Sequence, residues 1–323
     1  MTTIDRRELG RTGLRLTTLG FGGGPIGWRR TAAVDGEADE LLEAAWEGGI
    51  RYYDTAPYYG YGDSERRVGR GLEGRSRDDF VLSSKVGRLI RPRFPGDREE
   101  GQVVYDYSYD GAMRSIDESL ARLRLARIDI ALIHDIDRWT HKDEQPRRFR
   151  EALDGAYRAL SDLKAQGVIR AIGLGVNEWQ VCDAFAKAAP TDCFLLAGRH
   201  SLLRQEAQRE FLPFCSEQGV GVIVGGPYNS GILASGAIEG ALFDYSPAGP
   251  QTLERVRRIE SVCTQFGVAL PAAALAFTLR DRAVATVIPG VATAAELSAT
   301  AAYAATAVPE GLWPALAASG LLQ

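Results

Sequence analysis

Residues 128–135 read IDIALIHD, and this stretch decides the fold class of the chain. Five of the six residues from Ile128 to Ile133 are apolar, without the alternation of a half-exposed strand. A nearly continuous apolar run of this length is typical of a parallel strand that is covered on both faces. The run ends on His134, which places an ionisable side chain at the carboxyl end of the predicted strand.

Seven more runs of this kind flank that stretch, and each is followed by a helical pattern. The predicted strands are residues 16–20, 50–54, 80–85, 128–134, 169–175, 193–196, 220–224 and 284–288. The predicted helices are residues 37–47, 64–72, 111–124, 149–166, 178–188, 205–217, 253–266 and 294–303. Eight such repeats predict an α/β fold, a single (β/α)₈ TIM barrel domain over residues 1–323, with a doubly wound open sheet as the alternative.

Two features lie outside the repeat. Residues 4–15 carry a Gly-Arg-Thr-Gly turn between short extended pieces, which predicts an N-terminal β-hairpin that closes the bottom of the barrel. Residues 271–280 predict an extra C-terminal helix that begins at Pro271. The longest irregular stretches, 87–109, 135–146 and 225–250, all follow strands. We therefore expect them at the C-terminal rim, where barrel enzymes build their sites.

The composition excludes several classes of protein. The 323 residues include 38 basic and 42 acidic side chains, a balance that disfavours a nucleic-acid partner bound by phosphate neutralisation. No apolar run approaches the roughly 18 residues that span a bilayer, and the polar N-terminus lacks a signal-peptide core. The sequence therefore predicts a soluble, cytoplasmic protein with no membrane partner, either a monomer or a dimer.

Neither the cysteines nor the glycines form a recognised cofactor motif. The four cysteines lack CxxC spacing, which predicts buried reduced thiols and no metal. Gly69, Gly71 and Gly74 match GxGxxG, but a dinucleotide fingerprint must follow a strand, and the preceding segment is helical in pattern. These glycines are interpreted as a helix terminus and a turn.

Ionisable residues end three consecutive predicted strands: Asp54, Lys85 and His134, with Tyr59 five positions after Asp54. Strand ends converge at a barrel mouth, so the four side chains are expected to meet there. Asp54 would pair with Lys85, because either buried charge alone is costly. The Lys85 ammonium would lower the pKa of Tyr59 towards working pH and make it a general acid or base. His134 would donate to the same substrate oxygen.

Each of these residues also has a structural alternative. Asp54 alone would serve as a helix N-cap, Lys85 as a rim charge and His134 as a satisfied polar group that ends an apolar strand. Tyr59 lies in a loop with two further tyrosines, which weakens its individual assignment. The joint placement on three consecutive strands favours catalysis over these separate roles.

With these residues in place, the sequence resembles the aldo-keto reductase superfamily over nearly its whole length. The matching motifs are RELGRTGLRLTTLGFGGGPIG (7–27), GIRYYDTAPYYGYGDSE (49–65), VLSSKVG (81–87), IDIALIHD (128–135), RAIGLGVNEW (170–179) and ATVIPGVATAAEL (285–297). The resemblance implies a catalytic tetrad of Asp54, Tyr59, Lys85 and His134. In this tetrad Tyr59 donates or accepts the proton, and Lys85 adjusts the pKa of Tyr59. Asp54 holds Lys85 in place, and His134 orients the substrate oxygen.

The resemblance also implies a nicotinamide cofactor, extended across the rim. The implied cofactor-binding residues are Gly22, Asn177, Gly225, Gly231, Leu233, Gly290 and Glu296. Three positions depart from the family pattern: Val176 replaces a serine, Ala197 a glutamine and Gly225 the tyrosine that stacks on the nicotinamide. The usual clamp on the ring is thereby placed in doubt, with Tyr228 or Phe21 as possible apolar replacements.

The C-terminal motif bears on the choice of cofactor. Relatives that prefer NADP place a basic residue near its 2′-phosphate, whereas the matching stretch GVATAAEL (290–297) has none. A carboxylate at Glu296 would repel a phosphate and accept from a ribose hydroxyl. The sequence therefore predicts NAD as the preferred cofactor and NADP as the weaker one. A plain helix-surface acid is the alternative role of Glu296.

The substrate is expected to be a small sugar or aldehyde. The chain resembles most a branch that oxidises L-fucose, D-threo-aldoses or L-galactose at C1, together with pyridoxal 4-dehydrogenase. A pyridoxal dehydrogenase, a general aldehyde or ketone reductase, a non-enzymatic nucleotide-binding subunit and a metal-dependent enzyme using Asp54 and His134 remain alternatives. Polar loop residues available to sugar hydroxyls are Tyr105, Tyr107, Tyr109, Trp139 and Arg199.

Overall fold

A computed structural model describes residues 4–28, 33–91 and 102–323. In these residues the strands are β1 (Arg6–Glu8), β2 (Arg15–Thr17), β3 (Phe21–Gly22), β4 (Tyr52–Asp54), β5 (Val81–Val86), β6 (Arg88–Arg91), β7 (Gln102–Tyr105), β8 (Ile130–His134), β9 (Ala171–Val176), β10 (Cys193–Ala197), β11 (Gly221–Gly225), β12 (Leu242–Phe243), β13 (Ser246–Pro247) and β14 (Val284–Ile288).

The helices of the same residues surround the strands. They are α1 (Gly24–Trp28), α2 (Ala33–Glu47), α3 (Asp63–Gly71), α4 (Tyr109–Leu123), α5 (Arg138–His141), α6 (Gln145–Glu151), α7 (Tyr157–Ala165), α8 (Trp179–Ala188), α9 (Phe211–Gln218), α10 (Ile232–Ser235), α11 (Pro250–Gln265), α12 (Leu270–Leu279), α13 (Ala294–Ala304) and α14 (Leu312–Ala318). A π-helical segment, Ala152–Ala156, joins α6 to α7.

Eight of the strands form one parallel sheet that closes into a barrel. Its order is β3, β4, β5, β8, β9, β10, β11 and β14. A parallel bridge between Leu19 and Val287 joins the two edges, and the Gly20 amide donates to the Val287 carbonyl over 2.9 Å. The predicted barrel is confirmed, and the open sheet is excluded because both edge strands are paired.

The N-terminal hairpin closes one end of this barrel, as predicted. β1 pairs antiparallel with β2, and Leu9, Leu14 and Leu16 fill the barrel interior below Tyr52. The turn sits against the start of β11, where the Arg11 amide donates to the Gly219 carbonyl over 3.0 Å. The opposite, C-terminal mouth is left open for function.

The first predicted strand, residues 16–20, is wrong in its position. Residues 15–17 belong to the hairpin, and the barrel strand begins at Phe21, because the apolar run passes from one element into the next. The other predicted strands lie within two residues of the observed ones. α12 confirms the extra helix, whereas the predicted helix over 205–217 is a 3₁₀ turn, Glu206–Gln208, followed by α9.

The stretches predicted as irregular contain local structure. An antiparallel hairpin of β6 and β7 stands on the rim after β5, a second one of β12 and β13 follows β11, and α5 follows β8. The strands of each hairpin are short and pair with each other. They therefore lack the long apolar runs from which the barrel strands were predicted. All three structures surround the C-terminal mouth.

The GxGxxG glycines and the cysteines behave as interpreted. Gly69 and Gly71 lie in the last turns of α3 and Gly74 in the turn after it, with a positive φ of 76°. All four cysteines are buried free thiols. In the described ranges no group of three potential ligands is placed to hold a metal ion. No single helix there has the length and apolarity to cross a membrane; α11 and α12 reach that threshold only as a pair, bent by 93°.

Candidate active site

A buried ion pair joins the ends of β4 and β5 at the C-terminal mouth. The Lys85 ammonium lies 2.7 Å from Asp54 Oδ2 and donates to the Thr55 carbonyl over 2.9 Å. Ser83 donates to the other carboxylate oxygen of Asp54 over 2.6 Å. Both charged side chains are almost fully buried, and each has the partners that a desolvated charge requires. The predicted pair between Asp54 and Lys85 is confirmed.

Tyr59 lies in the loop between β4 and α3, directly beside this pair. Its ring centroid is 4.7 Å from Lys85 Nζ. Gly60, at a φ of 61°, packs on Gly27 and turns the loop so that the ring points into the mouth. The positive charge of the Lys85 ammonium acts on the Tyr59 hydroxyl.

The expected depression of the Tyr59 pKa is wrong in its net direction. Burial of the phenol raises the pKa of Tyr59 to about 12, although the charge of Lys85 acts to lower it. The pKa of Lys85 is itself raised despite its burial, by the charges of Asp54 and Tyr59. At neutral pH the resting site therefore holds a neutral phenol against an ammonium, which suits a proton donor.

His134 completes the group from the end of β8. Its ring lies edge-on to the Tyr59 ring, with the centroids 5.9 Å apart. Burial, together with the nearby positive charges of Arg88 and Lys85, lowers the pKa of His134 well below its usual value. The imidazole is thus neutral and can donate from one ring nitrogen to a substrate oxygen. The structure brings all four predicted catalytic side chains together.

A second ion pair, which the sequence reasoning missed, stands on the other side of His134. Arg88 at the start of β6 pairs with Asp135, and its guanidinium stacks on the Tyr58 ring at 3.4 Å from the centroid. Asp135 Oδ2 also lies 3.4 Å from His134 Nε2. Burial raises the pKa of Asp135 to about 6 against the opposing charge of Arg88.

The backbone around Asp135 is held in an uncommon conformation. Asp135 has a φ of 52°, and its amide donates to the Gly175 carbonyl over 2.9 Å. The Tyr107 hydroxyl contacts the carbonyls of His134 and Asp135 at 2.8 and 3.2 Å and His141 Nε2 at 2.9 Å. Tyr107, predicted as a sugar-binding side chain, is instead fully buried beneath the mouth.

Asn177, the predicted carboxamide ligand, follows β9 at the same mouth. The backbone amide of Asn177 donates to Asp137 Oδ2 over 2.8 Å, and Arg199 Nε donates to the backbone carbonyl of Asn177 over 2.7 Å. Its side chain contacts the hydroxyl of Tyr245, an exposed residue at the tip of the β12–β13 hairpin. Sequence reasoning gave no role to Tyr245.

That hairpin tip is braced from three sides. Asp244 and Tyr245 have φ values of 49° and 64°, as in the two-residue turn that joins β12 to β13. The Asp244 carboxylate pairs with Arg199 at 2.8 Å and with Arg204, and the Tyr245 amide donates to Ser230 Oγ over 2.9 Å. The brace holds an aromatic ring over Asn177.

The remaining predicted cofactor residues divide into rim and core positions. Gly22 ends β3, Gly225 ends β11 and Gly290 follows β14, so all three lie at this end of the barrel; Gly22 and Gly225 are buried and Gly290 is exposed. Gly231 begins α10 with a φ of 100°. Leu233 is fully buried in the core, so its side chain is not presented to a ligand.

The two suggested replacements for the missing stacking tyrosine do not face the mouth. Phe21 is fully buried and packs on Tyr53, with the ring centroids 5.8 Å apart, in the layer between barrel and helices. Tyr228 is also buried, and its hydroxyl has no hydrogen-bond partner among the described residues. Tyr245 is therefore the aromatic side chain that the structure places beside Asn177.

Glu296 lies in the first turn of α13. Its carboxylate accepts from the Ala292 amide over 2.7 Å, while the Thr293 hydroxyl accepts from the Glu296 amide over 3.2 Å. This reciprocal arrangement resembles a capping box, so the acid has a structural role at the helix N-terminus. It also places a negative charge where an anion would otherwise bind.

The other predicted polar loop residues are scattered. Tyr105 lies 5.4 Å from the Arg88 guanidinium, and Arg199 lies 5.5 Å from the Trp139 ring. Tyr109 donates to Asp162 on the outer surface and is far from this group. One sequence signal for the missed ion pair was available, because Asp135 directly follows His134 at a strand end.

The arrangement has the parts needed to move a proton at a carbonyl or alcohol oxygen. It offers a phenol next to an ammonium, a neutral imidazole, and an amide at one open mouth. Gly22, Gly225 and Gly290 add no side chain at these strand ends, and Asn177 adds an amide, a lining compatible with an extended nucleotide. This donor set is compatible with the proton transfer that accompanies hydride exchange with a nicotinamide.

Comparison with known proteins gives the same assignment. Residues 18–318 match the model of the aldo/keto reductase family. The chain is 39% identical to pyridoxal 4-dehydrogenase of Microbacterium luteolum (98% of each chain) and 39% identical to D-threo-aldose 1-dehydrogenase of a Pseudomonas species (96% of each). An aldo-keto reductase of Bacillus halodurans in its holo form superposes with a TM-score of 0.76 at 24% identity, over 99% of this chain and 97% of the other.

Proposed function

The chain belongs to the aldo/keto reductase family, and we propose that it is an NAD-dependent dehydrogenase that oxidises an aldose at C1 to the lactone. The main support is the position of the Tyr59 hydroxyl beside the Lys85–Asp54 pair. A second polar pair, Arg88 and Asp135, lies next to His134. A mouth with polar groups on both sides of the reacting position suits a substrate that carries several hydroxyls.

The protein's own residues perform the proton chemistry. A nicotinamide, when bound, takes up a hydride at its C4 atom. Tyr59 Oη receives the proton of the anomeric hydroxyl, and the Lys85 ammonium stabilises the phenolate that must accept it. Neutral His134 donates to the same substrate oxygen and orients it. Asp54 keeps Lys85 in place, and the Asn177 amide orients the carboxamide group of the cofactor.

Pyridoxal is the second candidate substrate. The identity to pyridoxal 4-dehydrogenase equals that to D-threo-aldose 1-dehydrogenase, so similarity alone does not separate the two activities. In its cyclic hemiacetal form, pyridoxal also offers a hydroxyl on the reacting carbon. The same tetrad would oxidise either substrate, and the pocket beside His134 decides between them.

The proposed preference for NAD is supported by the first turn of α13. The Glu296 carboxylate occupies the helix N-terminus, and no basic side chain stands between Gly290 and Leu297. A 2′-phosphate placed there would meet a negative charge without a compensating cation.

The first experiment assays L-fucose, L-galactose, D-arabinose and pyridoxal with NAD and NADP, together with Tyr59→Phe. We expect at least one of the aldoses to be oxidised with NAD, and the substitution to lower kcat by about 10²- to 10⁴-fold, because the proton acceptor is lost. The affinity for NAD, measured by titration calorimetry, should stay within about threefold of wild type.

Tyr109→Phe is the control, since the Tyr109 hydroxyl donates to Asp162 on the outer surface, outside the group of catalytic side chains. It should retain full activity. Unchanged turnover in Tyr59→Phe, or activity confined to the NADPH-dependent reduction of simple aldehydes, would contradict the proposal.

A further inference from the structure

We propose that Arg88 and Asp135 form a subsite for the hydroxyl on the carbon next to the reacting carbon, so that the preferred substrate is an aldose with a free 2-hydroxyl. The inference rests on the proposed dehydrogenase function and names its substrate class more narrowly. It depends on the position of the pair relative to His134, on the groups that the pair leaves available, and on its rigidity.

The position is set by the distance to His134. Asp135 Oδ2 lies 3.4 Å from His134 Nε2, the ring nitrogen on the side of the ion pair. Oxygens on adjacent carbons are separated by about the length of a hydrogen bond, about 3 Å. A substrate oxygen that accepts from His134 therefore places its vicinal hydroxyl within reach of the Asp135 carboxylate.

The pair offers an acceptor oxygen to that hydroxyl. The contacts with Arg88 and His134 both use Oδ2 of Asp135, and Oδ1 has no hydrogen-bond partner within the described ranges. The Asp135 side chain keeps 14% of its surface exposed. Arg88 Nε is buried without a partner among the same residues. A substrate hydroxyl can donate to the partly exposed carboxylate, which is costly to leave without a donor. Arg88, whose Nε is buried, holds that carboxylate in place.

The subsite is held rigidly before any substrate arrives. Asp135 adopts a left-handed backbone conformation that the Gly175 carbonyl and the Tyr107 hydroxyl maintain. Arg88 is clamped between the carboxylate and the Tyr58 ring. Strained backbone of this kind concentrates at functional sites, and a preorganised polar pair discriminates strongly between ligands.

The chemistry of the pair favours a neutral polyol. The charges of Arg88 and Asp135 cancel. For a substrate anion, the attraction to the guanidinium is therefore offset by the repulsion from the carboxylate. Pyridoxal has no hydroxyl on the carbon bonded to its reacting carbon. The subsite therefore favours an aldose over pyridoxal, although both present a hemiacetal to the tetrad.

The experiment compares each aldose of the panel that is oxidised with its 2-deoxy analogue, in the wild type and in Asp135→Asn. Asparagine tolerates the left-handed conformation, so the backbone is preserved while the charge is removed. We expect wild-type kcat/KM to favour the parent sugar by on the order of 30- to 100-fold. In Asp135→Asn the ratio should fall to within about threefold, because the parent sugar alone loses a contact.

Arg88→Lys provides an independent test if Asp135→Asn folds poorly, and it should lower the same ratio through loss of the guanidinium fork. Asp78→Asn is the matched control: Asp78 pairs with Arg127 on the outside of the barrel and is 87% exposed. It should leave the ratio unchanged.

The possible outcomes separate the two claims. Oxidation of an aldose with an unchanged ratio in both variants would overturn the subsite and keep the dehydrogenase. Oxidation of pyridoxal without any aldose would also overturn the subsite. If neither aldoses nor pyridoxal are oxidised, the proposed function itself fails.

Discussion

At the scale of single residues, the site depends on how burial and charge oppose each other. Desolvation alone would deprotonate a buried lysine, yet Lys85 keeps its proton because Asp54 lies 2.7 Å away. The same ammonium opposes, without cancelling, the effect of burial on Tyr59. The result is a phenol that gives up its proton only at high pH.

The raised pKa of Tyr59 predicts the pH dependence of the proposed oxidation. The reaction needs the phenolate, whose fraction grows about tenfold for each pH unit below a pKa of about 12. We therefore expect kcat/KM for the oxidation to rise from about pH 7 to about pH 10. The measurement is the initial rate across this range in a constant-ionic-strength buffer.

A rate of oxidation that is constant or falls over the same pH range would contradict the claim that the Tyr59 phenolate accepts the proton. Asp135, with a pKa of about 6, is ionised throughout this window and does not contribute to the rise. The reverse reaction uses the neutral phenol as donor, so its rate should not rise with pH.

At the scale of elements, the π-helical segment between α6 and α7 supports the site from behind. Within it the Ala156 amide donates to the Tyr107 carbonyl over 2.7 Å. The Tyr107 hydroxyl in turn contacts the backbone carbonyls of His134 and Asp135. An irregular helical turn thereby positions the end of β8, consistent with the frequent use of π-helical turns near functional sites.

Gly155 makes this contact possible, and Gly155→Ala tests it. An added Cβ would lie 2.5 Å from the Tyr107 carbonyl oxygen and 2.8 Å from the Ser108 Cα, both backbone atoms. We expect the free energy of unfolding to fall by about 1–3 kcal/mol. The melting temperature should fall, and KM for the aldose should rise as His134 and Asp135 shift.

Gly36→Ala is the matched control, because Gly36 lies in α2 and an added Cβ there meets no atom of the described residues within 4 Å. It should raise stability by about 0.5–1 kcal/mol through helix propensity. A Gly155→Ala variant as stable as wild type would show that α6 and α7 can move to accommodate the methyl group without loss of stability. This result would contradict the proposed role of the π-helical segment in positioning the end of β8.

At the scale of the whole molecule, closure of the barrel turns distant motifs into one site. The bridge from Leu19 to Val287 brings β3 and β14 together, so Gly22 and Gly290 share the rim with Asn177 of the opposite half. A ligand that spans this rim contacts elements from both ends of the chain. Its binding should therefore stabilise the complete fold.

Thermal unfolding with NAD and with NADP tests this expectation and the proposed preference together. NAD at 100 times its Kd should add about 2.7 kcal/mol to the free energy of unfolding. NADP at the same concentration should give a smaller shift, because its 2′-phosphate meets the Glu296 carboxylate at the N-terminus of α13. A shift with NADP that equals or exceeds that with NAD would contradict the preference.

The sequence by itself determined the barrel and the four side chains at its mouth. Nearly continuous apolar runs specify covered parallel strands, and Asp54, Lys85 and His134 end three of them, so their meeting followed from the pattern. Tyr59 was singled out among the tyrosines of its loop by the family motif. The hairpin and the extra helix were also predictable, because a turn motif and Pro271 mark them locally.

Only the tertiary structure decided the surroundings of those side chains. The net pKa of Tyr59 depends on desolvation, which no local pattern reports. The pairing of Arg88 with Asp135, and the placement of Tyr245 beside Asn177, join residues far apart in sequence through short rim hairpins. Such contacts arise from how loops fold over a closed barrel, so they appear only when the chain is seen in three dimensions.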